Sequence, residues 1–145
     1  MTPEDPAQDG RRLQSLAQIV APDPGVTGRI VVLDCASDLP FPVRRVYWIH
    51  GMCKGEARGA HGHRALTQAV VALTGTVRFE LDDGTRRTVH LLTRPDQYLI
   101  VPPGLWRDFT ALEQGTTLLV LASAAYDEAD YIRDYAAFLA FRGAA

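Results

Sequence analysis

His61 and His63 stand two residues apart in the stretch Gly59-Ala60-His61-Gly62-His63-Arg64. Two residues is the side-chain repeat of a β-strand, so both imidazoles project from one face. Paired imidazoles on one face suit two kinds of chemistry: ligation of a first-row metal, or proton transfer near neutral pH. Which of the two applies depends on what surrounds them.

Gly55, His61, His63, Gln68 and Gly75 fall at the spacing of the first cupin signature, and Pro102-Pro103-Gly104-Leu105-Trp106-Arg107 approximates the second. Many cupins complete a metal site with a carboxylate and a third histidine. Here those two positions hold Gln68, a neutral amide, and Arg107, a guanidinium that stays protonated and cannot ligate. His50 and His90 fall at no spacing that replaces them. The donor set therefore favours proton transfer by a neutral imidazole, with no metal and no other cofactor.

The elements that must carry these residues read as β-structure. Short runs rich in β-branched and aromatic residues recur between turn residues: Gly28 to Asp34, Val43 to His50, Thr67 to Thr74, Val77 to Leu81, Arg87 to Leu92, Gln97 to Val101, Trp106 to Thr110 and Thr116 to Ala122. In Val77-Arg78-Phe79-Glu80-Leu81 every second residue is apolar, and Asp82-Asp83-Gly84-Thr85 supplies the turn of a hairpin. Near the end the period changes. Tyr131, Ile132, Tyr135, Phe138 and Leu139 fall at helical spacing, with Asp127 placed to cap an amphipathic helix that packs on one sheet face. The fold class expected is all-β, a cupin jelly-roll β-barrel with a C-terminal helix.

At 145 residues, 47% of them hydrophobic, the chain has the size of one domain: a flexible tail over 1–15, polar and broken by Pro3, Pro6 and Gly10, then a single cupin domain over 16–145. A net charge of -2 gives no basic excess to draw nucleic acid or an anionic membrane, and no apolar run is long enough to span a bilayer. Cys35 and Cys53 lack the CxxC spacing of a redox or zinc motif, which suits a reduced, cytoplasmic protein.

Five segments together resemble the nucleotide-sugar 3,4-ketoisomerases, the WxcM-like and FdtA-like cupins: Val46-Tyr47-Trp48-Ile49, Arg58 to Arg64, Leu81-Asp82-Asp83-Gly84, Val101-Pro102-Pro103 with Trp106, and Leu121-Ala122-Ser123 leading into Tyr126-Asp127-Glu128-Ala129-Asp130-Tyr131-Ile132-Arg133-Asp134-Tyr135. The resemblance covers roughly residues 27 to 141, and the last block is its most specific part. It implies a metal-independent homodimer that moves the carbonyl of a dTDP-linked 4-keto-6-deoxyhexose from C4 to C3 through an enediol, for deoxyaminosugar and polysaccharide synthesis. It further implies His63 as the base, His61 as the second proton-transfer group, and Tyr47 and Arg58 as pocket residues that bind substrate; Gln68 and Trp106 suit either ligand contact or packing, and Arg107, at a position where the family varies, is a further substrate-binding candidate. One position departs from the pattern: Thr27 stands where the family carries an arginine associated with the active site. That departure keeps a second reading open, a nucleotide-sugar-binding cupin without turnover.

Overall fold

The computed structural model describes residues 12–20 and 23–144. Its strands are β1 (Gln14–Ser15), β2 (Ala17–Val20), β3 (Arg29–Val32), β4 (Arg45–Met52), β5 (Ala57–His63), β6 (Gln68–Thr74), β7 (Val77–Asp82), β8 (Arg87–Leu92), β9 (Gln97–Val101), β10 (Trp106–Ala111), β11 (Thr116–Ala122) and β12 (Tyr131–Ile132), followed by helix α1 (Tyr135–Ala144). Two five-stranded antiparallel sheets face each other, one in the order β1-β9-β6-β11-β4 and the other in the order β12-β5-β10-β7-β8, while β2 and β3 form a separate hairpin. Among the described residues the two sheets are not joined by a continuous ladder, so the expected barrel is realised as a two-sheet jelly roll. Residues 1–11 of the expected tail lie outside the described residues. Its other end is shorter than expected, because Gln14 and Ser15 already pair with Tyr98 and Gln97.

The alternation seen in the sequence builds the core. Val77, Phe79 and Leu81 turn inward with Phe109, and from the facing sheet Val70, Ala72, Leu118 and Val120 meet them. The Phe79 and Phe109 rings stack with centroids 5.2 Å apart. The outer face of the first sheet is covered separately, by Leu16, Leu39 and Phe41 against Ala69, Val71, Tyr98 and Leu121.

The C-terminal helix begins later than its apolar period suggests. Tyr131 and Ile132 form β12, paired with His63 and Gly62 of β5. Asp127 does cap, but it caps the short 3-10 turn at Glu128–Asp130 by accepting from the Ala129 amide. Helix α1 takes its cap from Asp134, whose carboxylate accepts from the Ala137 amide at 2.9 Å. The helix buries Phe138 against Trp106 and Ile132, on the outer face of the second sheet.

Candidate active site

β5 positions the histidines, and a bulge in it decides what joins them. His61 lies opposite Arg107 of β10, Gly62 opposite Trp106, and Arg58 opposite Phe109, with the register shifting between Arg107 and Asp108. Arg58 and His61 are three residues apart, and in a regular strand they would face opposite ways. The extra residue of the bulge restores them to one face. Gly59 adopts φ +96 and Ala60 φ +54 there, and the Ala60 amide donates to the Asp108 carboxylate at 3.1 Å. A Cβ on Gly59 would sit 2.7 Å from the Arg107 carbonyl oxygen, so the close approach of β5 to β10 requires glycine. Gly62 faces outward, where a Cβ would come within 3.3 Å of both Leu105 O and Phe138.

Between the sheets lies a cavity of about 240 Å³ lined by Tyr47, Arg58, His61, Gln68, Arg107 and Tyr131, with Arg133 also on its wall. The Phe79 and Phe109 side chains line its apolar part. Arg107 is buried at 1% exposure; it donates from Nη1 to Gln68 Oε1 at 2.6 Å and from Nη2 to the Leu105 carbonyl at 3.2 Å. Both acceptors are neutral, and its Nε has no partner among the described residues. Burial lowers the guanidinium to about 10, which leaves it charged at neutral pH. Gln68 Nε2 in turn donates to the Tyr47 hydroxyl at 3.1 Å. Burial raises the Tyr47 phenol above its ordinary value, so Tyr47 stays protonated.

The two imidazoles are placed differently. His61 borders the cavity, its Nδ1 bonded to the Gly59 carbonyl at 3.0 Å, which assigns the hydrogen to Nδ1 and leaves Nε2 as the acceptor. His63 is fully buried; its Nδ1 donates to Asp130 Oδ2 at 2.8 Å and its Nε2 has no partner among the described residues. Asp130 Oδ1 is held by the Ala65 amide at 2.7 Å. The ring centroids of His61 and His63 are 4.9 Å apart, and Tyr131 lies 5.1 Å from the first and 4.4 Å from the second. Burial lowers both imidazoles to about 4; the Arg107 charge adds to this at each, and the Asp130 hydrogen bond opposes it at His63. Both rings are therefore neutral at pH 7. His63 borders a smaller cavity of about 140 Å³ with Arg45, Asp127 and Asp130, and Tyr131 alone lines both cavities.

The two positions that a metal-binding cupin would use, Gln68 and Arg107, are thus bonded to each other. These residues do not fit a metal, and among the described residues no group of three or more His, Cys, Asp or Glu side chains converges on one point.

The FdtA family, described as WxcM-like, C-terminal, matches residues 10–143. The chain belongs to this family. It is 38% identical over 108 residues to the TDP-4-oxo-6-deoxy-alpha-D-glucose-3,4-oxoisomerase of Aneurinibacillus thermoaerophilus, covering 74% of this chain and 78% of that protein. Its fold superposes on a 3,4-ketoisomerase from Helicobacter canadensis with a TM-score of 0.84 at 30% identity, covering 91% and 96% of the two chains. A sugar 3,4-ketoisomerase from Thermoanaerobacterium thermosaccharolyticum, solved in complex with TDP, gives 0.83 at 32% identity over 91% and 93%.

Within this FdtA-type fold, the residues singled out in the sequence separate cleanly. Tyr47, Arg58, His61, Gln68 and Arg107 meet at the larger cavity, and His63 lies behind its wall. Trp106 does not join them. It precedes Arg107 on β10 and so faces outward, packing at 5.2 Å on Tyr135 and 5.7 Å on Phe138 with its Nε1 bonded to Asp108, which makes it a support for α1. Thr27 is exposed in the segment leading to β3 and lines neither cavity. Three residues of the site were not singled out: Asp130, Tyr131 and Arg133. Their signal lies in the Tyr-Asp-Glu-Ala-Asp-Tyr-Ile-Arg block, where Tyr131 and Ile132 also fit a helical period that suits packing.

Proposed function

We propose that this protein is a nucleotide-sugar 3,4-ketoisomerase acting on a dTDP-linked 4-keto-6-deoxyhexose, with His63 as base. The observation that carries this reading is the buried His63–Asp130 pair, whose one free lone pair, on Nε2, has no partner among the described residues. A buried polar atom left unpaired costs about 1–3 kcal/mol, a cost that a reacting ligand can relieve.

In the first half-reaction the C3–H bond breaks, its proton passes to His63 Nε2, and its electrons form the C3–C4 double bond while O4 gains charge and a proton. In the second, O3 loses its proton, C4 gains one, and the carbonyl forms at C3. Asp130 stabilises the imidazolium formed at His63, as a carboxylate on Nδ1 does in hydrolytic triads. Arg107, charged and paired only with neutral acceptors, stabilises the enediolate. His61, on the cavity wall, exchanges protons with the sugar oxygens. Tyr131 covers His63, and displacement of its ring by the sugar opens the way to Nε2.

Arg58 and Arg133 suit the diphosphate. Each lines the cavity, and each is now held by a neighbouring carboxylate, Arg58 by Glu56 at 2.7 Å and Arg133 by Glu128 at 2.6 Å. We further propose a cytoplasmic homodimer. Its support is the exposed apolar set Ile19, Ile30 and Val32 on the β2–β3 hairpin and Val46 and Trp48 on the edge strand β4, together with two free, exposed cysteines. No helix among the described residues is long and apolar enough to cross a membrane.

The test is product analysis by NMR after incubation with dTDP-4-keto-6-deoxyglucose. A 3-keto product is expected. Saturable dTDP binding with no product selects the binding module that the Thr27 substitution left open.

A further inference from the structure

We infer that Gln68 is a positioning residue that makes Tyr47 an obligate hydrogen-bond donor to the substrate oxygen that gains charge in the enediolate. A guanidinium can only donate, so the 2.6 Å contact from Arg107 requires the Gln68 oxygen, not its nitrogen, to face Arg107. The amide nitrogen must then face Tyr47, and it donates to the phenol oxygen at 3.1 Å. Gln68 is 2% exposed and Arg107 1% exposed, so water does not compete for either group. With one lone pair occupied by Gln68, the Tyr47 hydrogen must point elsewhere. No acceptor takes it among the described residues, and Tyr47 lines the cavity. The chain from Arg107 through Gln68 to Tyr47 thus ends in a single polarised O–H aimed at the ligand space, with the charge of Arg107 reinforcing each bond along it.

A carboxylate at position 68 would undo this arrangement. It would accept from Arg107 and from the Tyr47 hydroxyl together, turning the Tyr47 hydrogen away from the substrate. The residue type that suits a metal-binding cupin is therefore incompatible with this donor.

The identity of the oxygen rests on the ketoisomerase reading; the Gln68–Tyr47 coupling does not, and the experiment separates the two. In Gln68→Glu, the Tyr47 phenol pKa, followed by NMR of ring-labelled tyrosine, rises further, because the phenol becomes a donor to an anion. The variant melts no lower than wild type, since Arg107 gains a charged partner. Its kcat falls by about 10²- to 10³-fold, the usual loss for one oxyanion donor, with KM little changed. Tyr47→Phe loses a similar factor, and Gln68→Met in the Tyr47→Phe background costs nothing more, because methionine brings no anion to Arg107 and Gln68 acts through the hydroxyl already removed. Gln68→Met, of similar size and without charge, also raises the Tyr47 pKa and lowers kcat. An unshifted Tyr47 pKa in both Gln68 variants overturns the coupling whether or not the protein turns over the sugar. Losses that multiply in the double variant overturn the role assigned to Gln68. Absence of turnover in wild type removes the ketoisomerase reading and leaves the phenol titration to decide the coupling.

Discussion

Replacing Asp130 by asparagine should silence the base without disturbing its surroundings, and the geometry says why. The two Asp130 oxygens have different partners: Oδ1 accepts from the Ala65 backbone amide at 2.7 Å and Oδ2 from His63 Nδ1 at 2.8 Å. Asparagine keeps one oxygen. The Ala65 amide can only donate, so the oxygen stays there and the new NH₂ is turned toward His63. Facing a donor, Nδ1 must become the acceptor, and the ring hydrogen moves to Nε2, the atom that has to take the C3 proton. Two losses follow. The charged hydrogen bond that stabilises the imidazolium is worth about 1.5–3 kcal/mol, or roughly 10- to 150-fold in rate. The wrong tautomer adds to it, and the same change in a hydrolytic triad lowers kcat by about 10⁴. The expected fall in kcat for Asp130→Asn therefore lies between about 10² and 10⁴, measured by NMR product formation with KM checked in the same series. Turnover within about threefold of wild type would falsify the assignment of His63 as a base held by Asp130.

The neutral imidazoles also make stability depend on pH. His63 titrates at about 4 in the folded protein against 6.5 for the free group, and His61 is lowered to about 4 as well, so the unfolded chain binds more protons between these values. Stability should fall as pH drops from about 6.5 to about 4, and His63→Asn should flatten that slope in denaturant titrations; an unchanged slope contradicts the burial of a neutral His63. A homodimer should appear in light scattering as twice the 15.9 kDa chain mass. Trp48→Lys, which puts a charge on the exposed apolar part of β4, should shift it toward monomer, whereas a monomeric wild type would remove the dimer.

Much of the fold was legible because its strands obey a simple period. β8, β9 and β11 have the bounds the sequence suggested, and β7 and β10 differ only at their last residue. The spacing of His61 and His63 likewise gave their common face, but not the bulge at Gly59 and Ala60 that brings Arg58 alongside. The end of the chain was less legible. Tyr131 and Ile132 fit a helical stripe with Phe138 because Ile132 and Phe138 do pack in one cluster, but Ile132 reaches it from a strand. Periodicity reports which residues share an apolar neighbour and not which backbone delivers them. That one ambiguity hid Asp130 and Tyr131 together. Trp106 was misplaced for a related reason: the signature fixes its position in the chain, but strand parity, set by the pairing of Arg107 with His61, decides which of two consecutive residues enters the cavity.

The most direct test of proton transfer at C3 is NMR of dTDP-4-keto-6-deoxyglucose with the protein in deuterated buffer, run beside His63→Asn. The account predicts a 3-keto product and deuterium entering at C3 or C4 at a rate that His63→Asn abolishes. Exchange that proceeds equally fast in His63→Asn would contradict it and move the base to His61, the imidazole that already faces the cavity.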